Sequence, residues 1–112
     1  MNPTPRPDLL QGTLDMLILK VVAGAPLHGY AIAQRIGQMS EALLQVPQGS
    51  LYPALHRLEN GGWVSATWAV TESGRKARVY RLTARGRRRL ETEMADWDRM
   101  SGAIRLILQA AE

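Results

Sequence analysis

The sequence predicts an α+β, mostly α fold: a winged helix-turn-helix followed by one long C-terminal helix. Three observations between positions 49 and 86 point to it. An amphipathic helix pattern, GSLYPALHRLENGG, comes first; two alternating segments with a turn between them, the pattern of a β-hairpin, follow at once; a dense basic run then overlaps the hairpin and continues past it. In the helix Leu51, Leu55 and Leu58 recur at i, i+4 and i+7 and share one face. Ser50, Tyr52, His56 and Arg57 are left on a second face that is polar, aromatic and basic. Eight of the fourteen Lys and Arg residues lie between positions 75 and 89, namely Arg75, Lys76, Arg78, Arg81, Arg85, Arg87, Arg88 and Arg89, and no Asp or Glu interrupts them.

With 112 residues, 46% of them hydrophobic, the chain can bury a single modest core. Its net charge of +4 suits a polyanionic partner, and the charge is polarised, because acids dominate residues 91–98. There is no cysteine, hence no disulfide and no thiolate metal site. His28 and His56 are far apart in sequence and make no ligand cluster, so neither a metal nor another cofactor is expected. The start, MNPTPRPDLL, lacks the apolar core of a signal peptide, and the apolar run at 14–25 is short and broken by Asp15 and Lys20. A soluble cytoplasmic protein with no membrane partner is expected. Paired carboxylates in an apolar setting, a Ser/His/Asp order around a strand-turn-helix elbow and a phosphate loop are all missing from the pattern, so no catalysis is expected.

Residues 1–7 hold three prolines and read as a flexible N-terminal arm, on which Arg6 could reach a phosphate. The first helix opens either at Asp8, with Gln11 completing a capping box, or at Thr13; Leu10, Leu14, Leu17, Ile18, Val21 and Val22 form its apolar face. Ala23-Gly24-Ala25-Pro26 stops it. A second helix begins near His28 or Gly29 and carries Ile32, Ile36, Met39 and Leu43 at helical spacing, until Val46-Pro47-Gln48-Gly49 breaks the chain again. If Ser50 is the N-cap of the next helix, Pro53 is its third residue and has no intrahelical hydrogen bond to lose; a start one or two residues earlier strains this slightly. Asn60-Gly61-Gly62 ends that helix through a left-handed cap.

The segment 63–70 then reads as a strand, Glu72-Ser73-Gly74 as a turn, and 77–82 as the return strand with Tyr80 and Leu82 facing inward. Trp63 should pack on the preceding helix, and Trp68 either belongs to the core or covers the base of the hairpin. Thr83 caps the last helix, where Leu90, Met94, Trp97, Ser101, Ile104, Leu108 and Ala111 alternate at steps of four and three, the spacing of a two-helix seam. Ser101 and Gly102 mark its weakest point. A second copy is the expected partner for this seam; folding back onto its own domain is the alternative. The chain thus divides into an arm at 1–7, a winged helix-turn-helix domain at 8–83 and a dimerisation helix at 84–112.

Four motifs in this order resemble the PadR family of bacterial transcriptional regulators, in the short form with a single C-terminal dimerisation helix. They are LQGTLDMLIL, HGYAIAQRI, QGSLYPALHRLENGGWV and YRLTARGRRRL. The resemblance covers nearly the whole chain. It implies a winged helix-turn-helix and a dimeric repressor of nearby genes. Some relatives in the family bind planar aromatic or phenolic compounds at the dimer interface, and the resemblance makes such a compound a candidate effector.

A helix-turn-helix places the N-terminal part of its second helix in the major groove of double-stranded DNA, and a dimer reads two half-sites about 34 to 36 Å apart. On that geometry Gln48, Ser50, Tyr52 and His56 are the candidate groove contacts, with Arg57 serving phosphate. In the wing Arg75, Lys76 and Arg78 reach phosphate or the minor groove, and Arg87 and Arg88 of the following helix add phosphate contacts, while Arg85 and Arg89 pair with acids such as Glu93. The dimer interface is assigned to Leu90, Met94, Trp97, Ile104 and Leu108. Trp97 is either a stacking platform for an effector, walled by Met16, Met94 and Met100, or a plain apolar anchor of the interface. The alternative function is a winged-helix interaction module whose basic face serves an acidic protein.

Overall fold

The computed structural model describes residues 11–111. The expected arm at 1–7, together with Asp8 and Leu10, lies outside the described residues. Helix α1 (Gln11–Gly24) is already helical at Gln11, which excludes an opening at Thr13. Its buried positions are Leu14, Asp15, Ile18, Leu19, Val21 and Val22, so the apolar strip carries one acid.

A two-residue strand β1 (Leu27–His28) follows, too short for any periodicity to announce. His28 then caps α2 (Gly29–Met39), its Nδ1 accepting the N–H of Ala31 at 3.4 Å. The helical spacing that suggested a run to Leu43 outlasts the helix, and Leu43 is 83% exposed. The stop is a Schellman closure: Glu41 N–H bonds the Gln38 carbonyl at 3.2 Å and Ala42 N–H bonds the Gly37 carbonyl at 2.7 Å. Both residues are left-handed, Glu41 at φ 53 and Ala42 at φ 66. Ser40 holds the turn, its Oγ donating to the Gly37 carbonyl and accepting the N–H of Leu44.

Helix α3 (Gln48–Asn60) begins behind Pro47, and Ser50 is inside it rather than at its cap. The N–H groups of Ser50 and Leu51 both bond the Pro47 carbonyl, each at 3.0 Å. Pro53 is therefore the sixth helical residue and withholds the hydrogen bond due to the Gly49 carbonyl. Gly49 is exposed, so water can serve that carbonyl. At the other end Gly62, at φ 78, donates to the Glu59 carbonyl and Trp63 to that of Leu58, each at 3.0 Å, the expected left-handed cap.

Strands β2 (Val64–Val70) and β3 (Lys76–Leu82) pair antiparallel from Val64↔Leu82 to Val70↔Lys76. β1 adds to the far side of β3 through Leu27↔Tyr80 and His28↔Val79, giving the order β1-β3-β2. Tyr80 is buried and Leu82 packs against the core, as alternation predicts. Trp68, at 68% exposure, is outside the core. Ile18, Leu19, Ile32, Leu51, Leu55, Leu58 and Val64 are fully buried and join α1, α2, α3 and the sheet into one core; each such side chain contributes about 1.5–3 kcal/mol by leaving water.

Helix α4 (Ala84–Gln109) starts on the Thr83 cap, whose Oγ1 accepts the N–H of Gly86 at 3.0 Å, and continues unbroken through Ser101 and Gly102. Gly86 is where this helix touches the sheet. A Cβ there would stand 2.0 Å from the Trp63 carbonyl oxygen, so only glycine lets the two backbones meet. Four residues on, Leu90 is 5% exposed and belongs to the core, not to an intermolecular seam as its heptad position suggested. The division at 83/84 consequently runs through the core. Beyond Leu90 the helix runs on past α1, with Trp97 and Met100 beside Gly12, Thr13 and Met16, and the molecule measures 59 × 38 × 23 Å.

Candidate nucleic-acid interface

Helix α2, the loop at 40–47 and α3 form the helix-turn-helix, and the β2–β3 hairpin is its wing. The apolar face of α3 is consumed by the core through Leu51, Ala54, Leu55 and Leu58, which turns Gln48, Ser50, Tyr52 and His56 outward. Tyr52 keeps one edge on the protein. Gly29 leaves room for its ring, since a Cβ there would lie 3.0 Å from Tyr52 Cε1, and the remaining side is 45% exposed.

The basic residues, uniform in sequence, divide into two groups in space. Arg57, expected on phosphate, instead gives Nη2 to Asp15 at 3.0 Å. Arg78, expected on the duplex from the wing, instead gives Nη1 and Nη2 to Glu59 at 3.1 and 2.6 Å and lies 5.8 Å from the centre of the Trp68 ring. Arg89 bonds Glu93 at 2.7 Å, the pairing expected for it, and also reaches Asp15 at 3.4 Å. Among the described residues Arg85 finds no acid. It donates to the Gly61 carbonyl at 2.8 Å and, with Arg89, stacks on Trp63 at 5.0 and 4.2 Å from the ring centre.

Among the described residues Arg75, Lys76, Arg81, Arg87 and Arg88 have no acidic partner, and all five are exposed. Arg75 and Lys76 stand directly after the tight turn, where Thr71 N–H bonds the Arg75 carbonyl at 2.7 Å and Gly74 takes φ 82. Between wing and α3, burial pushes the Tyr80 phenol above its ordinary value, against the opposing charge of Arg78. Trp63 stacks on the end of α3, because a Cβ at Gly61 would meet its ring at 1.8 Å.

On α4, Met94, Trp97, Ile104 and Leu108 are exposed along one run, together with Met100, Leu106 and Ile107. Trp97 walls a groove of about 410 Å³ with Gly12, Thr13 and Met16 of α1 and with Glu93, Asp96 and Met100 of its own helix. Met16 and Met100 thus converge on Trp97, whereas Met94 does not line the groove. Among the described residues no helix is long and apolar enough to cross a membrane.

Three residues that shape the site, Asp15, Glu59 and Gly86, have no site role assigned by the sequence analysis, where Asp15 figures only as a break in an apolar run. A signal for Asp15 existed: positions 15, 18, 19 and 22 share a helical face, so an acid there is buried with apolar neighbours and must find a cation. Glu59 and Gly86 carried no such sign, since each owes its role to a strand or carbonyl distant in sequence.

The chain is similar to the Mycobacterium tuberculosis protein Transcriptional regulator Rv3488, 40% identical over 70 residues, which is 62% of either chain. In three dimensions it resembles a PadR-like transcription factor from Bacteroides fragilis, with a TM-score of 0.71 and 30% identity over 87% of this chain and 91% of the other. It shares its fold with a transcriptional regulator from Clostridium thermocellum, with a TM-score of 0.81 and 23% identity over 88% and 96% of the two chains. The sequence model of the Transcriptional regulator PadR-like family matches residues 18–92, from the middle of α1 into α4. The chain therefore belongs to the PadR-like family of transcriptional regulators.

Proposed function

We propose that the protein binds double-stranded DNA sequence-specifically as a homodimer, represses transcription from a dyad-symmetric operator, and answers to a planar aromatic effector. One observation carries the reading: the core leaves Gln48, Ser50, Tyr52 and His56 of α3 exposed, and Arg75 and Lys76 of the wing are exposed with no acidic partner among the described residues. Gln48, Ser50, Tyr52 and His56 contact the major groove. Arg75 and Lys76 neutralise phosphates at the flanking minor groove, and Arg87 and Arg88 add phosphate contacts from α4. Arg57 and Arg78 are left out of this set, because their guanidiniums are already held by Asp15 and Glu59.

The exposed run Met94, Trp97, Ile104 and Leu108 supports dimerisation through α4, since contiguous apolar surface of this kind is covered in an assembly. The groove beside Trp97 offers a flat stacking surface between two methionines, which suits a planar aromatic ligand. A cytoplasmic location follows from this role.

The test is fluorescence anisotropy with the duplex upstream of the protein's own gene and a scrambled duplex, each titrated against salt. Preference for the upstream duplex at two protomers per site is the expected result. Equal, strongly salt-dependent binding to both would leave a basic surface alone and favour an acidic protein partner.

A further inference from the structure

Asp15 is the acid in the buried strip of α1, and its side chain is 5% exposed. Two guanidiniums meet it from different helices: Arg57 of α3 reaches Oδ1 at 3.0 Å, and Arg89 of α4 reaches Oδ2 at 3.4 Å. Arg89 is itself divided, giving Nη2 to Asp15 and Nε to Glu93 at 2.7 Å. Glu93 in turn lines the groove beside Trp97. Three helices are thereby joined through one unbroken series of charges, Arg57, Asp15, Arg89 and Glu93.

A buried carboxylate is a poor way to gain stability, because an apolar side chain would occupy the site at less cost in desolvation, so the role assigned to this acid is to fix geometry. Here the geometry concerns the two helices that matter for regulation. α3 is the element proposed to enter the major groove, and α4 is the one whose placement a partner copy or a molecule beside Trp97 would alter. Arg89 can face two carboxylates because its nitrogens form a rigid fork. A lysine at this position keeps the charge but has a single nitrogen to share.

We propose that Asp15 and Arg89 are positioning residues for DNA reading, through which the placement of α4 sets the placement of α3 in the groove, although neither residue touches the duplex. The inference rests on the DNA-reading function proposed above. It makes a prediction of opposite sign to simple electrostatics. Neutralising Asp15 removes a negative charge and releases Arg57, which by charge alone strengthens binding to every duplex and steepens its salt dependence. If Asp15 positions α3, the operator is bound more weakly instead.

The experiment measures the full chain, wild type and the variants Asp15→Asn and Arg89→Lys, on operator and scrambled duplexes across a salt series, below the melting temperature of each variant. Arg89→Lys leaves the net charge unchanged, so it decides the matter even where Asp15→Asn fails to fold. The expected result is a loss of about tenfold in operator affinity for either variant, with scrambled-duplex affinity not reduced and, for Arg89→Lys, an unaltered salt slope. A purely structural ion pair would lower the melting temperature and leave the ratio of the two affinities where it was. Arg89→Lys binding both duplexes as wild type does, or Asp15→Asn strengthening both alike, overturns the inference. Failure of the wild type to distinguish the duplexes overturns the DNA-reading function itself, and this inference with it.

Discussion

Glu59 accepts both outer nitrogens of Arg78, at 3.1 and 2.6 Å, so α3 is clamped to the return strand of the wing by two parallel bonds. The pair is partly exposed, which limits its worth, and Arg78→Ala is expected to cost about 1 kcal/mol of stability. Thermal melting reads that loss. The salt slope of DNA binding should stay constant, and a slope shallower by about 0.9 would mean that Arg78 serves a phosphate after all.

Arg75 and Lys76 behave oppositely, having no acid to hold them among the described residues. Replacing both with alanine should weaken every duplex alike and flatten the salt slope by about 1.8 if each neutralises one phosphate. Tyr52→Phe keeps the ring on Gly29 and removes only the hydroxyl. It should lower operator affinity about fivefold with little effect on random DNA, whereas equal losses on both would make Tyr52 a phosphate contact.

Trp97→Ala should weaken the dimer by about 3 kcal/mol if the indole is fully covered between protomers. Sedimentation at protein concentrations well below micromolar tests this. A sedimentation profile identical to wild type would remove Trp97 from the interface.

Ala42 holds φ 66 without being glycine, a conformation costing about 1 kcal/mol for a residue with a Cβ. Ala42→Gly relieves that cost and should stabilise the protein by somewhat less, because glycine also gains freedom in the unfolded chain. Urea denaturation should show a higher midpoint at constant m.

Tyr80 is expected to contribute to a loss of stability at alkaline pH. Burial raises its phenol above the ordinary value of 10.0, so its contribution to stability is whole below that value and is lost as pH rises towards the folded-state value. Denaturation midpoints should therefore fall above about pH 10, and Tyr80→Phe should abolish that component of the fall. A decline of equal size in the phenylalanine variant would assign it to other groups.

The fold was legible where one short-range rule decides the outcome. Leu51, Leu55 and Leu58 are buried because their spacing puts them on one face, and Gly62 ends α3 because it can take a positive φ. The end of α2 was hidden because Glu41 and Ala42 take the same conformation without a glycine to announce it. The place of Leu90 is hidden for a different reason: α4 passes from its own core to an open surface without any change of period, so spacing cannot say which neighbour a leucine meets. On the candidate site, the outward face of α3 could be inferred from its leucines. The fates of Arg57 and Arg78 could not, since a row of like charges does not reveal acids that the fold brings from other elements.

Because α4 is anchored at Leu90 and unbroken to Gln109, it behaves as a lever with its fulcrum in the core. From Leu90 to the tip the helix is about 28 Å long at about 1.5 Å per residue, its first half beside α1, so a tilt of about 5° at Leu90 carries the tip through about 2.5 Å. Mechanical advantage runs the other way too: a modest sideways force on the tip becomes a large torque at the fulcrum, one residue from Arg89.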